Sequence, residues 1–63
     1  MKYTLNDKEI ELSKMPGFYI VELRDKKTCK VIAYSIEDFF EAENKFRELK
    51  RKLIKETKYG INQ

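Results

Sequence analysis

The nineteen residues Gly17-Phe-Tyr-Ile-Val-Glu-Leu-Arg-Asp-Lys-Lys-Thr-Cys-Lys-Val-Ile-Ala-Tyr-Ser35 decide the fold. They divide into two apolar-rich runs, about 18 to 24 and 30 to 35, joined by the charged segment Asp25-Lys26-Lys27-Thr28-Cys29. Enrichment in β-branched and aromatic residues, with a polar break between, predicts an antiparallel hairpin. Taken as a five-residue connection, the break sets Tyr19, Val21, Leu23, Val31 and Ala33 on one face. Phe18, Ile20, Glu22, Arg24, Lys30, Ile32 and Tyr34 fall on the other. Large apolar residues thus stand on both faces. The segment also looks like a turn closed by a bulge, which places Cys29 where the backbone takes a positive φ and glycine is the usual occupant.

Upstream, Tyr3, Leu5, Ile10 and Leu12 alternate with polar residues around Asn6-Asp7-Lys8, a second hairpin over 1–13 with one apolar face. It extends the sheet on the side of Tyr19, Val21 and Leu23, or else folds across the opposite side and buries it. Met15-Pro16-Gly17 marks a reversal between the hairpins. Downstream, Ser35 is a candidate helix cap answered by Asp38. Phe39, Ala42, Phe46, Leu49 and Leu53 then recur at three- and four-residue spacing, one stripe of a helix over 36–58. Phe40 lies off that stripe and is expected to widen the helix contact. Glu41 with Lys45, Glu43 with Arg47 and Glu48 with Lys52 are spaced as stabilising pairs, and residues 59–63 form a loose tail after the glycine at 60. The expectation is a single α+β domain, a small three- or four-stranded antiparallel sheet packed on one long C-terminal helix.

Size and composition narrow the function. At 63 residues the chain stands near the lower limit for a core without metals or several disulfides, and a large cleft is not expected. It has no His, no Trp and one Cys, which argues against an enzyme, a zinc site or a bound cofactor. A lone thiol needs no oxidising compartment, and the polar start has no apolar signal core. No run is long enough to cross a bilayer. A cytoplasmic location, that of a host cell for a viral protein, is the expectation. Fourteen Lys and Arg against eleven Asp and Glu leave +3, with acids early in the helix and bases late, an arrangement that complements the helix dipole.

The order of elements resembles the AP2-type DNA-binding domain and the related N-terminal arm-binding domains of phage and transposon integrases. The resemblance runs over roughly residues 9 to 54. It is carried by the Gly17-Phe18-Tyr19 entry, the Glu22-Leu23-Arg24 strand end and the Glu41-Ala42 pair of the helix. It implies a module of a phage or mobile element that lays its sheet against double-stranded DNA, with Arg24, Lys26, Lys27 and Lys30 on phosphates and Phe18 and Tyr34 on sugars or bases. The residues themselves offer another reading. Phe18, Ile20, Ile32 and Tyr34 make an apolar centre ringed by Glu22, Arg24 and Lys30, the composition of a protein interface. Its occupant is then a host or defence protein, which the chain inhibits or regulates, or a second copy of the chain.

Overall fold

A computed structural model describes residues 1–61 of the backbone and the side chains of residues 1–56. Four strands, β1 (Lys2–Leu5), β2 (Lys8–Met15), β3 (Phe18–Asp25) and β4 (Lys30–Ile36), form one antiparallel sheet in chain order, and a single helix, α1 (Phe39–Ile61), follows. The N-terminal hairpin extends the sheet: Tyr3 pairs with Ile10, Ile10 with Leu23 and Leu12 with Val21. One face therefore remains without a covering element among the described residues.

Each connection has a local cause. Asn6 takes φ 56° in the two-residue turn Asn6-Asp7, a conformation its short polar side chain tolerates. Pro16 fixes one φ and Gly17 supplies φ 82° in the next, the residue order of a type II turn. In the third, Asp25 Oδ1 accepts the amides of Lys27 at 3.0 Å and Thr28 at 3.3 Å, and Cys29 closes the loop at φ 60°. The positive φ expected at Cys29 is present. Cys29→Gly is accordingly expected to raise stability by about 1 kcal/mol, the strain of a side chain in the left-handed region, less part of glycine's extra freedom in the unfolded chain. Chemical denaturation of the two proteins measures it, and a destabilised variant would show that the loop is unstrained.

Asp25 also joins the ladder, and this corrects the faces assigned to β4. Because Asp25 pairs with Lys30, the connection holds four residues rather than five, and Leu23 stands opposite Ile32, Val21 opposite Tyr34 and Glu22 opposite Ala33. A shift of one residue moves every side chain of a strand to the other face. Ile32, Tyr34 and Lys30 therefore belong to the helix side, and Val31 and Ala33 to the open side.

The helix begins later than its first serine suggests. Ser35 is still paired with Ile20 in the sheet, and Asp38 is the cap instead: its Oδ2 accepts the Glu41 amide and its carbonyl the Ala42 amide, both at 3.0 Å. From there α1 runs on through the glycine at position 60 to Ile61, past the predicted stop; residues 62 and 63 lie outside the described residues.

Ala42, Phe46, Leu49 and Leu53 bury against Ile10, Leu12 and Val21, with Tyr3, Leu5, Tyr19, Leu23, Tyr34 and Ile36 at the margin. The Phe39 ring meets Tyr19 at 5.4 Å, Lys45 Nζ lies 4.3 Å from the centre of the Tyr34 ring, and Lys50 Nζ lies 4.9 Å from that of Tyr3. With Lys8 Nζ 3.2 Å from Glu56 Oε2, these contacts trace α1 from the Tyr19 end of the sheet to the Lys8 end. Phe40 does not widen that contact; it is 71% exposed, with its ring edge-on to Phe39 at 6.0 Å between ring centres. It sits on the helix circumference well away from the buried stripe. On the outer surface Arg47 pairs with Glu43 at 3.5 Å as spaced, whereas Lys45 turns to Glu48 at 2.8 Å.

Candidate functional site: the open face of the sheet

The pairing places Lys2, Thr4, Glu9, Glu11, Ser13, Met15, Phe18, Ile20, Glu22, Arg24, Val31, Ala33 and Ser35 on the face opposite the helix. These divide by chemistry. Charge gathers toward β1 and β2; apolar side chains run from Met15 and Phe18 through Ile20 to Ala33 and Val31, against the β4 edge.

The charged half is organised around Arg24. Its guanidinium lies 2.7 Å from Glu11 Oε1, 3.3 Å from Glu22 Oε1 and 3.5 Å from Glu9 Oε2, and Lys2 Nζ meets Glu9 Oε2 at 3.0 Å. Register explains the cluster. Glu11 and Glu22 stand directly opposite each other, where like charges repel, and Arg24, two residues along the same strand as Glu22, bridges them. Glu9 is 5% exposed yet ionised; the hydrogen bond with Lys2 holds its carboxyl below the usual range, against the burial that would raise it. The bond to Glu11, ahead of that to Glu22, keeps Arg24 still more firmly charged. Two cations face three carboxylates, so the charged half carries −1.

A depressed carboxyl pKa stabilises the fold above the unfolded-state value, and that contribution disappears as the pH falls through the lower folded value. Wild-type stability is therefore expected to drop as Glu9 is protonated. In Arg24→Gln, Glu11 and Glu22 confront each other without a cation, and the variant is expected to be less stable than the wild type at neutral pH, with part of the loss recovered as salt screens the two carboxylates. Denaturation midpoints of the wild type as the pH is lowered, and of both proteins at low and high salt, read the two effects, and equal midpoints with equal salt dependence would show that the guanidinium does not hold the carboxylates.

The residues proposed for nucleic acid do not share one surface. Arg24 is engaged on the open face, Lys30 and Tyr34 stand on the helix side, and Lys26 and Lys27 lie in the exposed loop between β3 and β4. Tyr34 is further covered by Lys45. Of the residues proposed for a protein partner, Phe18, Ile20 and Glu22 are together on the open face; Ile32 and Tyr34 are not, for the reason given by the register. Met15, Val31 and Ala33 complete the apolar half in their place. Met15 is 38% and Val31 58% exposed, while Phe18 and Ile20 are half-buried by their neighbours. Cys29 is exposed and free.

Among the described residues there is no group of His, Cys, Asp and Glu arranged to hold a metal ion, and no helix is long and apolar enough to cross a membrane. Comparison of the chain with protein-family models, with curated proteins and with solved structures finds no match.

Proposed function

We propose that this protein is a nonenzymatic binding module that recognises another protein through the apolar half of its open sheet face. Ile20 is its centre, Met15, Phe18, Ala33 and Val31 its contact surface, and Glu22 and Arg24 its polar rim. The engagement of Arg24 carries this reading: the cation best placed to take a phosphate on that face is already held by three carboxylates, inside a group with net negative charge. A duplex laid on the face would meet Glu9, Glu11 and Glu22 as well as Arg24, and phosphates would be repelled where groove binding needs attraction. Apolar side chains beside a charged rim suit a protein surface. Acting through such a patch, a chain of this size would work by occupying or blocking its partner, as a regulator or an inhibitor.

The DNA reading keeps one observation in its favour, the exposed Lys26 and Lys27 with Lys30 alongside at one end of the molecule. The two separate in experiment. The chain as bait in an extract of its native cell is expected to retain one protein at stoichiometric yield, with little loss on raising the salt. Affinity for generic duplex DNA that falls steeply with salt, with no protein retained, would reverse the assignment.

A further inference from the structure

The sheet has two edges, and they are built differently. β1 is four residues long and carries Lys2. β4 is seven residues long, pairs with β3 one residue to one residue without a bulge, and holds no proline and no charge between Val31 and Ile36. Long, regular, apolar edges are templates for another strand, and proteins normally blunt them with charge, proline or bulges. Val31 and Ile32 are 58% and 50% exposed on opposite faces of this strand, and among the described residues β4 pairs with no strand but β3, so its outer edge is unpaired.

The flanking charges identify the occupant. Lys26, Lys27 and Lys30 lie at the start of β4, and Glu37, Asp38 and Glu41 follow its end. A strand basic at one end and acidic at the other matches its own antiparallel copy at both ends at once. We propose that two copies of this chain pair antiparallel through β4, giving an eight-stranded sheet with both helices on one side. Pairing all seven residues puts Ala33 on the two-fold axis opposite its own copy, Ile32 opposite Tyr34 and Val31 opposite Ser35. Lys30 then lies beside the partner's acidic segment, and the two apolar halves of the open faces join across the axis. The inference goes beyond the protein-binding reading, since a dimer that retains no partner, or a monomer that does, would separate them.

Sedimentation equilibrium of the full chain over a wide concentration range tests it. The wild type is expected to pass from the 7.6 kDa monomer to twice that mass. Ala33 is exposed, and Ala33→Lys or Ala33→Glu sets two like charges face to face on the axis; each is expected to weaken self-association about tenfold or more. An equimolar mixture of the two variants, with opposite charges across the axis, is expected to restore it. Amide exchange gives a readout without substitution, with protection of β4 rising as the wild type is concentrated while that of β1 stays constant. A wild type that remains monomeric to its solubility limit, variants that associate as the wild type does, a mixture that stays monomeric, or β4 amides indifferent to concentration would each overturn the proposal.

Discussion

Replacing Phe46 by alanine is expected to leave the protein largely unfolded at room temperature. Phe46 is buried at the middle of α1, among the strand residues Ile10, Leu12 and Val21 and its own helix neighbours Ala42, Leu49 and Leu53. Truncating a buried phenylalanine costs about 3–5 kcal/mol, part in lost transfer of the ring from water and part in the cavity left behind. A domain of 63 residues has roughly 3–9 kcal/mol in all, at about 0.05–0.15 kcal/mol per residue. The loss is therefore comparable with the whole stability. Relaxation of the helix toward the sheet is limited, because Ala42, with only a methyl group, is itself fully buried in the core one turn away. Phe40→Ala is the matched control. Its ring is mostly in solvent, and the change is expected to stay within about 0.5 kcal/mol. Thermal melts followed by circular dichroism compare the two, and equal effects at the two positions would contradict the one-sided packing of α1.

Ile20→Lys is expected to lower affinity for the protein partner by about 30-fold or more without unfolding the chain. Ile20 lies between Ser13 and Ser35 on the open face, with Phe18 and Glu22 along its strand, so it occupies the centre of the apolar half. Central interface anchors typically cost about 2 kcal/mol or more on truncation, and about 1.4 kcal/mol corresponds to tenfold in affinity. A lysine adds the cost of desolvating a charge against apolar surface. The side chain can reach solvent on the free protein, which is why folding is expected to survive. Ile54→Lys, at an exposed site on the helix, serves as the comparison and is expected to leave binding unchanged. Retention measurements with both baits decide the matter. Loss of the partner from the Ile54 variant alone would move the binding surface to the helix.

Much of this architecture is legible in the sequence because each element is encoded redundantly. The stripe from Ala42 to Leu53 specifies one buried helix face, and Tyr3, Leu5, Ile10 and Leu12 specify a hairpin with a single apolar face. The pattern alone allows that hairpin to extend the sheet or to fold across its other side; the pairing of β2 with β3 decides for extension and leaves that side open. What the pattern does not fix is the register of β4, since Lys30-Val31-Ile32-Ala33-Tyr34-Ser35 carries apolar residues at both parities and pairs plausibly either way. Loop length decides it. Asp25 serves both as a ladder residue and as the acceptor for the loop amides, so the strand extends one residue further than its charge suggests. The same ambiguity hides the site. With Ile32 and Tyr34 assigned outward, Val31 and Ala33 go unnoticed, and Arg24 reads as a free cation because the convergence of Glu9, Glu11 and Glu22 upon it requires three strand positions in register. The helix cap is misread for a related reason: Ser35 and Asp38 are comparable caps by type, but the backbone of Ser35 is held in the sheet, and Asp38 is the first residue of cap type beyond β4.

The sharpest check of the whole arrangement is a set of nuclear Overhauser contacts in the labelled protein. Ile32 methyl groups are expected to contact Leu23, and the Tyr34 ring to contact Val21 and the Lys45 side chain, with Val31 instead near Arg24. Contacts from Ile32 to Arg24, or from Tyr34 to Ile20, would place those side chains on the opposite face and contradict the division of the sheet into one covered and one open side as described.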